Sequence, residues 1–225
     1  MPIQKTEVQL NVNGRKAAAY LAAPSEGGPG ILVLHAWWGL KPFFKQVCDQ
    51  LAARGFVALA PDLRDGEIAQ TIEAAKELME RSDGQFAGEV VEAARNYLLA
   101  YPSRKGGRIG AVGFSMGGAW ALEEATRAPE KYAAVVAFYG SGEGDFTKMQ
   151  AKYLGHFCEV DEWESLDWIR SMEADMKSAG VDATYIFYPG VSHWFVEEDR
   201  PEYNAATAKL AWDRTYKFFK DNLSA

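Results

Sequence analysis

The sequence has few cysteines and histidines and no block of basic residues. Its 225 residues include only two cysteines and three histidines. Cys48 and Cys158 lie far apart, with neither the spacing of metal ligands nor the density of a disulfide-stabilised fold, so we expect two reduced thiols. The formal net charge is −7, and no local basic patch offsets it. We therefore expect no nucleic-acid partner.

Signals for membrane insertion and export are also missing. The longest apolar candidate, residues 111–122, is too short to span a bilayer and is interrupted by Ser115 and several glycines. The first ten residues carry polar and charged side chains where a secretory signal needs a continuous apolar stretch. No zinc-protease, Walker or dinucleotide-binding motif occurs. We expect a cytoplasmic protein with no membrane partner, no metal and no other cofactor.

Short β-like runs alternate with helical patterns from one end of the chain to the other. This alternation is typical of an α/β fold, with a mostly parallel central sheet and helices on both faces. No linker, repeat or low-complexity tract interrupts it, so residues 1–225 are predicted to form a single domain. The predicted strands are 8–12, 17–22, 30–34, 56–60, 108–113, 133–139, 153–157 and 184–188, and the predicted helices include 68–79, 86–99, 117–125 and 166–178.

The segment Gly113-Phe114-Ser115-Met116-Gly117 matches the pattern G-x-S-x-G. This pattern holds a serine on a strained turn between a strand and a helix, where only glycine leaves room for the close backbone approach. The segment follows a predicted buried strand and opens a predicted helix, as the motif requires. Ser115 is therefore a candidate nucleophile, and the competing interpretation is that it merely caps the helix.

A serine hydroxyl needs a neighbouring base, and the base needs a third group to orient it. In folds with this elbow, the acid and then the histidine follow the nucleophile along the chain, each in a loop after a later strand. His193 lies after the last predicted strand and before the terminal helix. His35 precedes the nucleophile, and His156 lies within a strand before the expected acid. His193 is the predicted base.

The predicted acid is Asp161, which falls just past the end of strand 153–157. From that position its side chain can turn back towards a histidine loop. Asp167 is expected to lie in the first turn of a helix, where the helix dipole stabilises it. Because the triad accepts either aspartate or glutamate, Glu159 and Glu162 remain alternatives.

The oxyanion hole is expected to consist of two backbone N–H groups. One belongs to Met116, directly after the nucleophile. The other comes from the loop after the third strand, where Trp37 is the candidate. The start of the helix after Ser115 adds its dipole in the same direction.

Five segments together resemble the dienelactone hydrolase family of α/β hydrolases, and the resemblance extends over nearly the whole chain. It implies the α/β-hydrolase fold, the triad Ser115, Asp161 and His193, oxyanion donors at Met116 and Trp37, and a small ester or lactone as substrate. The segments are 34–40, 60–63, 113–118, 155–161 and 188–195.

Three positions depart from the lactone-cleaving members that the sequence resembles. Those members have a cysteine in place of Ser115 and a thiol-tuning glutamate in place of Ala36, so the two changes agree with a serine nucleophile. They also carry a carboxylate-binding arginine where this chain has Glu197. We therefore expect a dicarboxylate-like lactone to be repelled. Arg64 is expected to form a surface salt bridge rather than to bind an anion.

Aromatic residues cluster at the predicted loop ends, at the sheet edge where this architecture binds ligands. They predict an apolar site for a neutral, apolar or aromatic ester or lactone, cleaved through an acyl-enzyme. Another acyl substrate (thioester, peptide or peracid) and a non-catalytic ligand-binding role remain alternatives, and the protein is expected to be a monomer or a homodimer. The residues predicted to line the site are Trp38, Trp163, Trp194 and Phe195.

Overall fold

The structure is a computed structural model that describes residues 2–223. Met1, Ser224 and Ala225 of the predicted domain lie outside the described residues. Strands and helices alternate along the chain as β1 (Ile3–Val12), β2 (Arg15–Pro24), β3 (Gly28–Leu34), α1 (Pro42–Ala53), β4 (Val57–Pro61), α2 (Ile72–Glu80), α3 (Gly84–Ala100), β5 (Arg104–Phe114), α4 (Met116–Arg127), β6 (Tyr132–Phe138), β7 (Lys152–Cys158), α5 (Leu166–Ser178), β8 (Ala183–Tyr188) and α6 (Ala205–Asn222).

The eight strands belong to one mostly parallel sheet, in the order β1-β2-β4-β3-β5-β6-β7-β8. The predicted α/β class is confirmed. Within residues 2–223, no helix is both long enough and apolar enough to cross a membrane. Contacts divide the chain between Ile109 and Gly110 into two compact units, and the single domain stays a prediction.

The first unit opens with a hairpin of β1 and β2. Asn13 and Gly14 form its turn with φ of +51° and +86°, as the tight hairpin turns that match strand twist require. Val12 pairs with Arg15 beside this turn. Strand β2 continues antiparallel to β4, and β4 runs parallel to β3. Helix α1 packs against β2 and β4, and helix α3 packs against β1, β3 and β4.

His35 joins the loop after β3 to the loop after β4. Its Nε2 accepts a hydrogen bond from the Leu63 N–H at 3.0 Å, and its Nδ1 lies 2.6 Å from the carbonyl oxygen of Ala36. Because Nε2 accepts, the ring is neutral with its proton on Nδ1. Burial lowers the pKa of His35 to about 4, so the imidazole that links the two loops stays neutral at physiological pH.

The prediction for Arg64 is wrong. This residue is only 6% exposed and therefore does not lie at the surface, and its guanidinium group donates to the Met79 sulfur. Its backbone N–H donates to Asp62 Oδ1 at 2.9 Å. Asp62 thereby folds the loop back after β4 and carries Arg64 inward, which no local pattern in the sequence indicates.

In the second unit, β6, β7 and β8 run parallel to one another. Val135 pairs with Tyr153, and Gly155 pairs with Tyr185. Helix α4 packs on β6, α6 packs on β6 and β7, and α5 packs on β8. Since parallel strands end at the same edge of a sheet, the loops that follow β6, β7 and β8 converge there.

The largest differences between predicted and observed elements concern two helices. Helix α2 starts at Ile72 rather than at residue 68, because Thr71 caps it with an Oγ1 that accepts from Ala74 N–H at 3.2 Å. On α6, the spacing of the apolar residues in the sequence predicts a buried face that includes Trp212 and Tyr216, but both are only partly buried. The buried residues of α6 are Ala208, Ala211, Thr215 and Phe219.

Candidate active site

Ser115 occupies the junction between β5 and α4. Its φ of +50° and ψ of −117° are unusual for a residue with a side chain, and such strained conformations concentrate at functional sites. The Ser115 N–H donates to the Phe138 carbonyl oxygen at 2.9 Å, and its own carbonyl accepts from Gly118 N–H at 2.7 Å. Its side chain makes no capping hydrogen bond to the helix. The helix-cap interpretation of Ser115 is therefore not supported.

Glycines make room for this turn. A Cβ added to Gly113 would lie 2.0 Å from the carbonyl oxygen of Gly117, and one added to Gly140 would lie 2.3 Å from that of Ser115. Both contacts are with backbone atoms, which cannot move aside without unwinding the turn. The first and last positions of G-x-S-x-G thus pack against each other, and Gly140 packs against the serine from the loop after β6.

The three side chains predicted to act together are in hydrogen-bonding contact. His193 Nε2 lies 2.9 Å from Ser115 Oγ, and His193 Nδ1 lies 2.8 Å from Asp161 Oδ2. The side chains of His193 and Asp161 are each 2% exposed. Nδ1 carries a proton towards the carboxylate, which leaves Nε2 free to accept the serine proton.

The loop after β7 shapes the environment of Asp161. Its Oδ1 accepts backbone N–H groups of Trp163 at 2.8 Å and Glu164 at 3.1 Å. Burial alone would raise the pKa of Asp161, but the hydrogen bond and charge of His193, together with these two N–H groups, lower it below its usual value. Asp161 therefore stays ionised beside the imidazole. Cys158 at the end of β7 also donates to Asp161, and burial raises the pKa of that thiol.

The alternative acids have other surroundings. Glu159 and Glu162 are exposed, and Glu162 Oε1 accepts from Trp163 Nε1 at 3.0 Å. Glu164 accepts both the hydroxyl of Ser141, at 2.6 Å, and its N–H, at 3.2 Å. Among the acidic residues after β7 in the described part of the chain, Asp161 is the one that hydrogen-bonds to the His193 ring.

The other two histidines have structural partners. His156 Nδ1 lies 2.9 Å from Tyr188 Oη, and its Nε2 lies 3.0 Å from Thr215 Oγ1. Burial lowers the pKa of His156 to about 3. His156 is thus a neutral ring that joins β7, β8 and α6, and His35 holds two loops of the first unit.

Two aromatic side chains contact the imidazole of His193. The Tyr139 ring lies 4.7 Å from it, tilted by 52°, and the Trp194 ring lies 4.9 Å from it, edge-on at 88°. The sequence places Tyr139 among the aromatic residues at the predicted loop ends, but it does not predict the contact with the base. The available signal was its place directly after β6, at the edge where the catalytic loops meet.

The residues predicted to line the substrate site differ in burial. Trp38, Trp194 and Phe195 are at most 1% exposed. Trp163 is partly exposed, and its ring lies 5.3 Å from that of Trp194. Contact of these four side chains with substrate stays a prediction, and Trp163 offers the accessible indole.

Glu197, at the position of the arginine in the resembled lactone-cleaving enzymes, is fully buried. Its Oε1 accepts a hydrogen bond from Tyr139 Oη at 2.9 Å. The carboxyl group therefore lies inside the protein rather than on an open surface. The expectation that a dicarboxylate-like lactone is repelled stays a prediction.

Comparisons with known proteins identify the fold and the family of the chain. The chain has the α/β-hydrolase fold: the solved structure of dienelactone hydrolase from Anabaena variabilis matches it with a TM-score of 0.72 at 23% identity, over 100% of both chains. A family model described as the dienelactone hydrolase family matches residues 17–223. The chain belongs to that family of carboxylic ester hydrolases.

Two relatives from Aquifex species align with almost the whole chain. "Protein usf" of Aquifex pyrophilus is 34% identical over 96% of this chain and 98% of its own length. A protein of Aquifex aeolicus named "Putative carboxymethylenebutenolidase" is 33% identical over 96% of this chain and 98% of its own length. The resemblance expected from five short segments is thus confirmed across the chain.

Proposed function

We propose that this protein is a serine hydrolase that cleaves a small neutral carboxylic ester or lactone through an acyl-enzyme on Ser115. The observation that carries the proposal is the position of one imidazole. His193 lies 2.9 Å from the hydroxyl of Ser115 through Nε2 and 2.8 Å from Asp161 through Nδ1. Such an arrangement converts a weak alcohol into a nucleophile by removing its proton as the bond forms.

Acylation follows from these contacts. Ser115 Oγ attacks the carbonyl carbon of the ester while its proton moves to His193 Nε2. The negative charge that develops on the carbonyl oxygen is stabilised by the N–H group of Met116, next to Ser115 in the same unit, and the second donor expected from Trp37 stays a prediction. As the intermediate collapses, the bond to the alcohol oxygen breaks, and His193 returns the proton to that oxygen. In a lactone, the released hydroxyl remains attached to the acyl group.

Deacylation reverses the roles. A water molecule gives a proton to His193 Nε2 and attacks the acyl carbon, and the bond to Ser115 Oγ breaks. His193 then protonates the departing serine oxygen, and the carboxylic acid is released. Asp161 stabilises the imidazolium that forms in both halves of the reaction and does not itself accept a proton.

The residues near the triad favour one class of substrate. The aromatic side chains of Trp163 and Trp194 favour apolar or aromatic groups. Glu197 disfavours a second carboxylate on the substrate, because its position holds no cation to pair with one. Thioesters, peptides and peracids could be cleaved by the same chemistry and are separated from esters by direct assay.

The experiment combines active-site labelling with a series of chromogenic esters. The protein is treated with a fluorophosphonate probe, and hydrolysis rates are measured for p-nitrophenyl esters of increasing acyl length, with thioester and peptide substrates alongside. We expect stoichiometric labelling on Ser115 and preference for uncharged esters over those with a carboxylate. Ser115→Ala should lose labelling and at least about 10³-fold in kcat, since only the oxyanion hole and binding remain.

Ser178→Ala is the matched control, because Ser178 is an exposed serine at the end of α5 in the same unit. It should label and turn over like the unmodified protein. Undiminished hydrolysis by Ser115→Ala would contradict the proposal. If the probe does not label the protein and no acyl substrate is hydrolysed, a ligand-binding role is favoured.

A further inference from the structure

The orientation of the His193 imidazole depends on the ring of Tyr139. The two rings lie 4.7 Å apart, so rotation of the imidazole about its side-chain bonds would bring it against Tyr139. The Trp194 ring limits movement from another direction, at 4.9 Å. Hydrogen bonds to Ser115 and Asp161 set where the imidazole points, and the two aromatic rings limit how far it can turn.

Tyr139 is itself held at both ends. Its backbone φ of +39° is costly for a residue with a side chain, and its N–H donates to the His156 carbonyl oxygen at 2.7 Å. At the far end of the ring, Oη donates to Glu197 Oε1 at 2.9 Å. Burial, followed by the charge and hydrogen bond of Glu197, raises the pKa of Tyr139 well above its usual value. The phenol therefore keeps its proton at neutral pH and donates this hydrogen bond.

The hydrogen bond between Tyr139 and Glu197 joins two loops. One follows β6 and packs against Ser115, and the other follows β8 and carries His193. Glu197 follows His193 by four residues, and its N–H closes a turn onto the Trp194 carbonyl oxygen at 2.9 Å. Tyr139 directly follows Phe138, whose carbonyl oxygen accepts the Ser115 N–H at 2.9 Å. A displacement of either loop would therefore change the distance between His193 and Ser115.

We propose that the buried hydrogen bond from Tyr139 to Glu197 positions the imidazole of His193 between Ser115 and Asp161. Tyr139 and Glu197 are positioning residues, because they act through the base rather than on the reacting atoms. This inference rests on the proposed function, in which His193 transfers the proton. Burying the carboxyl group of Glu197 costs free energy unless hydrogen bonds compensate for the lost hydration. Alignment of the base explains why the protein keeps this buried group.

A second buried tyrosine–glutamate pair offers a matched comparison. Tyr132 Oη donates to Glu124 Oε2 at 3.0 Å, and both side chains are fully buried. Tyr132 is the first residue of β6, whereas Tyr139 comes directly after its last residue. At about 3.3 Å per residue, the two tyrosines lie about 23 Å apart along the strand. Loss of either hydroxyl removes the same kind of hydrogen bond, but only Tyr139 contacts the base.

The test compares the variants Tyr139→Phe, Glu197→Gln, their combination and Tyr132→Phe. For each, kcat and KM are measured on a neutral p-nitrophenyl ester, active sites are counted with a fluorophosphonate, and melting temperature is recorded. Tyr139→Phe should lower kcat per active site about tenfold with KM changed less than about twofold, because misalignment affects the transition state more than binding. Tyr132→Phe should leave kcat within about twofold.

Glu197→Gln should have a smaller effect than Tyr139→Phe, because an amide oxygen can still accept from the phenol. The double variant should be no slower than Tyr139→Phe, since both changes act on one hydrogen bond. Equal kcat in Tyr139→Phe and Tyr132→Phe, or losses that multiply in the double variant, would overturn the inference. If Tyr139→Phe does not fold, Glu197→Leu removes the acceptor instead, and a kcat equal to that of Tyr132→Phe overturns the inference.

Ser115→Ala separates this inference from the proposed function. If Ser115→Ala remains active, the proposed function fails, and the inference fails with it. If Ser115→Ala is inactive while Tyr139→Phe keeps full kcat, only the positioning role is lost.

Discussion

Asp161→Asn is expected to inactivate the protein by changing which nitrogen of His193 carries the proton. In the structure, Asp161 Oδ1 accepts the N–H groups of Trp163 at 2.8 Å and Glu164 at 3.1 Å. An asparagine must keep its oxygen at this place, because an NH₂ group there would face two donors. The NH₂ group therefore replaces Oδ2, which lies 2.8 Å from His193 Nδ1.

The exchanged group reverses the hydrogen bond. The amide donates to Nδ1 across the shorter of two contacts, 2.8 Å against 3.1 Å from Nδ1 to Oδ1, which favours the tautomer with its proton on Nε2, 2.9 Å from Ser115 Oγ. In this tautomer Nε2 cannot accept the serine proton. Serine hydrolases whose triad carboxylate becomes an amide lose about 10⁴-fold in kcat, which corresponds to about 5.4 kcal/mol of activation free energy. The side-chain shape and both backbone hydrogen bonds are retained, so the fold should persist.

The assay measures kcat per folded molecule and the tautomer of His193 by ¹⁵N NMR. We expect a proton on Nδ1 in the unmodified protein and on Nε2 in Asp161→Asn. Glu159→Gln and Glu162→Gln are the controls, since both glutamates are exposed, and each should retain full activity. A kcat for Asp161→Asn within tenfold of the unmodified protein, or an unchanged tautomer, would refute the reasoning.

Two further predictions concern the elbow and the buried histidines. Gly113→Ala should prevent the turn at Ser115 from forming and remove activity, because its Cβ would lie 2.0 Å from the Gly117 carbonyl oxygen. Gly107→Ala on the same strand is the control, since its Cβ would meet nothing within 4 Å. It should change neither the activity nor the melting temperature. Burial lowers the pKa of His35 to about 4 and of His156 to about 3, so below about pH 6.5 the unfolded chain binds more protons than the folded one. The free energy of unfolding should fall as pH drops towards about 4, by about 1.4 kcal/mol per pH unit for each histidine. Denaturant titrations at several pH values measure this dependence, and the same dependence on pH in His156→Gln as in the unmodified protein would contradict the prediction.

Much of the secondary structure was predictable from local signals. Each of the eight predicted strands has an observed counterpart, and α5 has the predicted bounds, residues 166–178. The strand ends were harder to place, because a few exposed residues extend a strand by pairing with a neighbour. β5, predicted from Arg108, begins at Arg104. Burial of Arg64 was mispredicted, because it depends on how Asp62 folds the loop over its neighbours.

The sequence by itself determined that Ser115 stands on a tight turn between a strand and a helix. Periodicity marks the two elements, and Gly113 permits the close contact between them, so the information lies within a few adjacent residues. The position of His193 after the last strand was also predictable from the order of elements along the chain.

Only the tertiary structure decided which acidic side chain meets the imidazole and what holds that ring in place. The contacts of His193 with Asp161 and Ser115 join residues 32 and 78 positions apart, and the contact of Tyr139 with Glu197 spans 58. Such distances close through strand pairing and helix packing, which orient each loop as a whole. Several carboxyl groups follow β7 within a few residues, and their local patterns are alike. Their separate roles arise from the direction in which the folded loop turns each one.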